Sequence, residues 1–152
     1  MTNLKAGDKA PNFEGEIEDG STVKLSDYAG KKLALYFYPK DDTPGCTKQG
    51  CNLRDNYKVL QESGYEILGV SPDKSAKHTK FINKYDFPFS LLADVDKKVI
   101  QDYGVWGPKQ FMGKTYDGIH RTTFVIDEKG VIEKVISKVK TKDHSAQILS
   151  ED

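Results

Sequence analysis

The sequence has little cysteine and no excess of either charge. Only 2 of its 152 residues are cysteine, too few for a disulfide scaffold in a chain of this length. In a reducing compartment a close cysteine pair is more often catalytic, redox-sensing or metal-binding than structural. The 23 basic and 23 acidic residues cancel, which argues against a general electrostatic attraction to nucleic acid or anionic membranes.

Several other signals are also missing. No apolar run approaches the ~20 residues of a membrane span, and the first residues, MTNLKAGDKAPNF, lack the apolar core of a secretory signal. We therefore expect a cytoplasmic protein. The phosphate-binding pattern GxxxxGK[ST] is absent, and none of the three histidines stands at ligand spacing from a cysteine, so a structural zinc site has little support.

The two cysteines, Cys46 and Cys51, lie five residues apart behind a proline-rich turn. An unbroken apolar and aromatic run of strand length, residues 33–38, precedes the turn, and apolar residues recur at helical spacing after it. The pattern predicts a buried strand, a turn and a helix over residues 46–62. Cys46 would then lie in the first helical turn, where the helix dipole and unpaired N–H groups favour a thiolate.

The helix dipole alone is too weak to make such a thiol fully reactive. Lowering a thiol pKa from about 8.5 to about 6 raises the thiolate fraction at pH 7 from ~3% to ~90% and requires roughly 3.4 kcal/mol. A helix N-terminus typically supplies about 0.3–1 kcal/mol and at most ~2 kcal/mol. The sequence therefore predicts that a cation also lies near Cys46.

The rest of the chain alternates strands with helices and ends in a hairpin. Strands are predicted at 13–17, 22–25, 66–70, 90–93, 122–126 and 131–136, and further helices at 75–85, 96–103 and 143–149. Residues 131–139 also repeat with a helical period, but they are β-branched and follow a hairpin turn, which favours a strand. The predicted fold class is α/β, with a central mixed β-sheet flanked by helices and an N-terminal hairpin extension.

One pattern resembles a known active-site signature. The run P-x-x-x-T-x-x-C, on Pro39, Thr43 and Cys46, resembles that of the peroxiredoxins, and TPGCTKQGCNLRD is similar to the peroxiredoxin Q or bacterioferritin comigratory protein subfamily. The similarity extends through GDKAPNF, KLALYFYPKDDTPGCT, GVWGPK and HRTTFVID. It implies a thioredoxin-like fold in which residues 1–152 form a single domain.

The resemblance also implies roles for individual residues. Arg121 matches the active-site arginine, whose permanent charge can hold a thiolate and a peroxide oxygen together. Thr43 would bridge thiolate and peroxide through its hydroxyl, Pro39 would shape the site and exclude water, and Gln49 would brace the arginine. From the residues alone, the alternatives are that Arg121 is a surface arginine at a strand end, which its residue type favours, that Gln49 is an exposed helical glutamine, and that Cys46 is a small buried hydrophobe, against which its position after Thr-Pro-Gly argues.

The reaction implied by the resemblance is thiol-dependent peroxide reduction. Cys46 would become a sulfenic acid, Cys51 would condense with it, and a thioredoxin-type dithiol would reduce the disulfide. No metal or organic cofactor, nucleic acid or membrane partner is implied, and relatives are often monomeric. The alternatives are a general thiol–disulfide oxidoreductase, weakened by the Cys-x-x-x-x-Cys spacing, a redox-sensing domain, and a cysteine hydrolase for which no oriented Cys–His pair is found.

The spacing of the two cysteines also limits when a disulfide can form between them. Cα atoms five residues apart in an intact helix are roughly 8.6 Å apart, whereas a disulfide requires less than about 7 Å. The helix over residues 46–53 must therefore unwind for Cys46 and Cys51 to bond. Gly50 either weakens the helix for this purpose or permits close packing.

Three further residues are left without a functional role by the sequence. Trp106 is interpreted as a core aromatic residue rather than a wall of the active site. A salt bridge to Asp55 explains Arg54 as well as a catalytic role does. His120 draws attention only because it adjoins Arg121.

Overall fold

A computed structural model describes residues 2–151, which form a seven-stranded mixed sheet and a separate two-stranded hairpin. The strands are β1 (Glu14–Ile17), β2 (Thr22–Lys24), β3 (Lys32–Phe37), β4 (Tyr65–Ser71), β5 (Ser90–Ala93), β6 (Trp106–Phe111), β7 (Lys114–Ile119), β8 (Thr122–Ile126) and β9 (Ile132–Ile136). The helices are α1 (Pro44–Asp55), α2 (Tyr57–Glu62), α3 (Ser75–Tyr85), α4 (Lys98–Asp102) and α5 (His144–Leu149). The large sheet has the order β2-β1-β5-β4-β3-β8-β9.

The centre of the sheet is a β-α-β unit, because β3 and β4 run parallel and are joined by α1 and α2. Side chains of β3 alternate between two hydrophobic cores, one on each face of the sheet. Leu33, Leu35 and Phe37 lie in the core that also contains residues of α4. The opposite core contains residues of α1, α2, α3 and α5, including Cys46. The predicted sheet with helices on both faces is therefore confirmed.

The predicted elements are present, including the N-terminal hairpin of β1 and β2 and the strand β9 in the ambiguous segment 131–139. The long helix predicted over 46–62 differs in two ways. It starts earlier, at Pro44, where a proline at the first helical position has a favourable φ and needs no N–H partner. It is also divided at Asn56, whose side-chain amide donates to the Asn52 carbonyl and competes with regular helix geometry.

The hairpin of β6 and β7 has no counterpart among the elements predicted from sequence. Its turn places Met112 at φ 51 and Gly113 at φ 79, both left-handed. Most of its side chains are exposed, so the strands lack the alternating apolar pattern that marks a half-buried strand.

The C-terminal helix α5 is fastened to the rest of the molecule by buried polar contacts. His144 Nδ1 donates to Gln147 Oε1 (2.8 Å), because an amide oxygen can only accept, and Nε2 lies 2.7 Å from the Thr123 hydroxyl. A neutral ring with this Nδ1–H accepts a hydrogen bond from the hydroxyl at Nε2. Burial lowers the pKa of His144 from 6.5 to about 4, with the Arg121 charge acting in the same direction and the Gln147 hydrogen bond opposing it.

This buried imidazole makes stability depend on pH. The unfolded chain protonates His144 as the pH falls below about 6.5, whereas the folded chain resists protonation until about pH 4. The free energy of unfolding should therefore fall over that window, by about 3 kcal/mol from this residue. Denaturant titrations at a series of pH values should show a steeper decline for the wild type than for His144→Gln. Parallel curves would contradict the assignment.

Candidate active site

Cys46 is the third residue of α1 and is 2% exposed. Thr43 is the N-cap residue and has an extended backbone, and Pro44 and Gly45 occupy the first two helical positions. The sulfur therefore belongs to the first turn, where backbone N–H groups lack helical partners and the helix dipole is positive. The location predicted from sequence is confirmed by the helix boundaries.

Arg121 supplies the cation that the energetic argument requires. It immediately precedes β8, and its Nη2 donates a hydrogen bond of 3.3 Å to Cys46 Sγ. Gly45 leaves room for this approach, because a Cβ at that position would lie 3.2 Å from Arg121 Nη2. The permanent charge and fixed fork of a guanidinium favour the thiolate without competing for its proton.

Gln49 holds the other branch of the guanidinium. Its Oε1 accepts from Arg121 Nη1 at 2.5 Å, and the side chain is fully buried one turn beyond Cys46. The exposed-helix alternative for Gln49 is therefore wrong. A neutral amide braces the arginine without cancelling its charge, which a carboxylate at the same place would do.

Thr43 and Pro39 belong to the turn that leads into α1. The Thr43 hydroxyl donates to the Lys40 carbonyl oxygen at 2.8 Å. Because its only hydrogen is used there, the hydroxyl does not also donate to the Cys46 sulfur, as the expected bridge requires, and its oxygen is left as an acceptor in this arrangement. Pro39 is half-buried after β3 and presents no side-chain donor or acceptor.

Cys51 is half-buried near the middle of the same helix, and both thiols are free. An intact α1 therefore contains both cysteines, in the geometry that precludes a disulfide between them. Gly50 has a packing reason of its own, since a Cβ there would meet the Phe87 ring at 2.5 Å. The close-packing interpretation of Gly50 is thus sufficient, and substitution by alanine is a poor test of helix opening.

The β6–β7 hairpin brings a second cation to this region, which the sequence did not reveal. Lys109 donates from Nζ to the Ile119 carbonyl at 2.9 Å. Burial lowers the pKa of Lys109, the Arg121 charge lowers it further, and Cys46 has the opposite effect. Because the hairpin was not predicted, no sequence signal connected Lys109 with the cysteine.

The residues without an assigned role have structural explanations. Arg54 donates to the Asp55 carboxylate at 2.9 Å and to the Tyr85 carbonyl at 2.7 Å. Trp106 packs against one core and lies beneath the Lys97 ammonium group. His120 Nε2 lies 2.9 Å from the Pro108 carbonyl.

In residues 2–151, no cluster of histidine, cysteine or acidic side chains is arranged to hold a metal ion, and no helix is long and apolar enough to span a membrane.

A buried thiol at a helix N-terminus, held by an arginine, is a site for nucleophilic redox chemistry, and comparison with known proteins defines its class. The chain belongs to the AhpC/TSA family, whose model matches residues 6–135, and it is a peroxidase of the peroxiredoxin type. Within that family it resembles the Bcp and peroxiredoxin Q proteins. It is 49% identical to peroxiredoxin Bcp of Escherichia coli K12 over 99% of this chain and 96% of that protein.

Solved structures agree with this assignment. A PrxQ variant of Xylella fastidiosa superimposes with a TM-score of 0.91 at 29% identity, covering 98% of this chain and 95% of that one. Bacterioferritin comigratory protein of Xanthomonas campestris, studied for its alkyl peroxide reduction, gives a TM-score of 0.84 at 34% identity, covering 90% and 87%. The fold is therefore the thioredoxin-like peroxiredoxin fold expected from the sequence.

The Arg121 contact predicts how the thiolate responds to substitution. Arg121→Met removes the cation beside the sulfur, so the thiolate fraction at neutral pH should fall and reaction with peroxide should slow. Arg121→Lys should restore charge without the two-branched geometry and give intermediate values. Thiolate absorbance as a function of pH measures the first effect, and stopped-flow oxidation measures the second.

Arg54→Met is the matched control, because this arginine of α1 contacts Asp55 and Tyr85. It should leave both measurements unchanged. A wild-type thiolate fraction and oxidation rate in Arg121→Met would remove the arginine from the mechanism.

Proposed function

We propose that this chain reduces hydrogen peroxide and organic hydroperoxides through a Cys46 sulfenic acid, which Cys51 resolves as an intramolecular disulfide. The observation that carries the proposal is the hydrogen bond from Arg121 to Cys46 Sγ at the start of α1. We further propose that residues 1–152 act as a single domain, as a cytoplasmic monomer that needs no metal or organic cofactor. Thioredoxin dependence is a general property of the family, and a thioredoxin-type dithiol is the reductant we propose here.

The first step is a displacement at oxygen. The Cys46 thiolate attacks the peroxide oxygen that carries hydrogen, an S–O bond forms, the O–O bond breaks, and the leaving oxygen takes a proton from solvent to become water or alcohol. Arg121 can stabilise both the attacking sulfur and the peroxide oxygens, because its donors remain charged throughout. The Thr43 hydroxyl oxygen would accept a hydrogen bond from the peroxide O–H group, and Pro39 would limit the access of water to the site.

The second step joins the two sulfurs. The Cys51 thiol attacks the sulfenic sulfur of Cys46, a disulfide forms, and the sulfenic oxygen leaves as water. Both cysteines lie on α1, so this step requires the helix to open. A dithiol then reduces the disulfide by exchange and is itself oxidised to a disulfide, which closes the cycle.

Organic hydroperoxides are included because of the relative studied for alkyl peroxide reduction, which shares 34% identity with this chain. The reacting centre proposed here engages only the peroxide oxygens and the sulfur. It therefore places no requirement on the group attached to the second oxygen, and the two classes of substrate should react by the same route.

The unequal positions of the cysteines predict different phenotypes. Cys46→Ser should abolish the reaction with peroxide. Cys51→Ser should still react once, accumulate sulfenic acid on Cys46, and lose turnover with thioredoxin. Sulfenic-acid trapping followed by mass spectrometry distinguishes these outcomes. If Cys51→Ser loses the first oxidation while Cys46→Ser keeps it, the roles are reversed.

Asn52 allows the opening of α1 to be tested. Its amide donates to the Lys142 carbonyl (3.0 Å) and accepts from the Ser145 N–H (2.8 Å), so it ties α1 to the segment that begins α5. Asn52→Ala should loosen α1 and accelerate disulfide formation, while the initial peroxide step stays unchanged. Rapid-mixing measurements of sulfenic acid and disulfide separate the two rates.

Asn83→Ala, at an exposed asparagine of α3, is the control and should change neither rate. Backbone amide exchange gives an independent measurement: residues 46–53 should lose protection on oxidation of the wild type. Equal protection in reduced and oxidised protein, with the disulfide verified by mass, would contradict helix opening.

A further inference from the structure

A fully buried polar network lies beside the active site and is not used by the mechanism above. His78 Nδ1 is 2.6 Å from Asp41 Oδ2, and both side chains are 0% exposed. The other carboxylate oxygen of Asp41 accepts from the Tyr38 hydroxyl at 2.5 Å. The second ring nitrogen of His78 is 3.0 Å from the Leu92 carbonyl of β5.

The partners fix the number of protons in this network. The Leu92 carbonyl can only accept, so His78 Nε2 carries a hydrogen. A hydrogen must also lie between His78 Nδ1 and Asp41 Oδ2, on either atom, because two bare acceptors at that distance would repel. The pair therefore has no net charge, and both Asp41 oxygens and both His78 nitrogens have partners.

Stability is a poor reason for such a pair. Desolvation of a buried acid and base offsets most of their attraction, and well-packed apolar residues of similar volume are often as stable or more stable. The position of the pair offers a better reason. Asp41 lies in the turn that joins β3 to α1, three residues before Pro44, and the pair connects this turn to α3.

Further contacts tie the same turn to the region of α3. The Asp41 N–H donates to Asp73 Oδ2 at 2.7 Å. Asp42 has a left-handed backbone, φ 58, and its carboxylate accepts from Lys84 Nζ and the Tyr85 hydroxyl, each at 2.8 Å. A non-glycine residue with this φ is held there by its surroundings. The turn before Thr43 is thus shaped by contacts from outside it.

We propose that Asp41 and His78 are positioning residues of the peroxidase reaction. Their shared hydrogen bond holds the turn so that Thr43 and the first turn of α1 keep their geometry around the Cys46 sulfur. This inference rests on the proposed function. Neither residue touches the reacting atoms, and their effect on rate arises through the placement of Thr43 and Cys46.

Substitutions at Asp41 separate hydrogen bonding from charge and packing. Asp41→Asn can keep every contact: its oxygen accepts from Tyr38, and its amide donates to Nδ1 of a neutral His78 that donates to Leu92. It should oxidise within about threefold of the wild-type rate, whereas Asp41→Leu should be slower by at least about tenfold. Stopped-flow oxidation by hydrogen peroxide measures the rate, and the thiolate absorbance shows whether the surroundings of the Cys46 sulfur have changed.

The double variant Asp41→Leu, His78→Leu distinguishes positioning from stability. It replaces the polar pair by two apolar side chains, so its unfolding free energy should recover relative to Asp41→Leu alone. Its oxidation rate should nevertheless stay at least about tenfold below the wild type. Recovery of the rate together with stability, or a wild-type rate in Asp41→Leu, would overturn the proposal.

A matched pair of tyrosine variants decides the question if the leucine variants do not fold. Tyr38→Phe and Tyr103→Phe each remove one buried hydroxyl hydrogen bond, to Asp41 and to the Pro11 carbonyl respectively. Slower oxidation in Tyr38→Phe than in Tyr103→Phe supports positioning, and equal rates overturn it. Failure of wild-type protein to form sulfenic acid or disulfide with peroxide would instead overturn the proposed function.

Discussion

The hydrogen bond between the Arg121 guanidinium and the Cys46 sulfur is the interaction on which the rest of this site depends. It joins two distant parts of the chain, since Arg121 precedes β8 and Cys46 begins α1. The sheet makes this possible by pairing β3 with β8, so that the turn after one strand lies beside the residue before the other. Gly45 permits the approach and Gln49 fixes the guanidinium. A helix dipole alone would leave much of the required stabilisation unsupplied.

The same arrangement creates a conflict between the two chemical steps. The proposed peroxide step favours an intact α1, whose first turn holds the sulfur next to the arginine, while the proposed disulfide step requires Cys51 to approach along a helix that keeps the sulfurs apart. Contacts on both sides of Cys46 bear on this balance. The turn before it is connected to α3 through Asp41 and His78, and α1 beyond Cys51 is connected to the α5 segment through Asn52.

Most of the fold could be predicted from local patterns in the sequence. The apolar run of β3 and the helical spacing after Cys46 each reflect a single buried element, so periodicity was enough there. For β9 the periodicity is helical, and the hairpin turn and the β-branched residues decided in favour of a strand. The resemblance supplied the pairing of Cys46 with Arg121, 75 residues apart, which periodicity cannot provide. The β6–β7 hairpin was not predicted because its exposed strands lack an alternating apolar pattern. Lys109, which lies in β6, was therefore not recognised as a neighbour of the site. The Asp41–His78 pair was not predicted either. In the sequence Asp41 looks like an ordinary surface acid and His78 is an isolated histidine, and only the packing of α3 beside the turn brings the two together.

In the proposed reaction, peroxide converts this cysteine pair into an intramolecular disulfide through oxidation of Cys46. The most direct test adds one equivalent of hydrogen peroxide to the reduced protein and follows free thiols together with intact mass. Both thiols should be lost, the mass of the chain should fall by two hydrogens, and digestion should yield a peptide that links Cys46 to Cys51. Retention of both thiols, or a stable oxygen adduct on Cys46 with Cys51 still free, would contradict it.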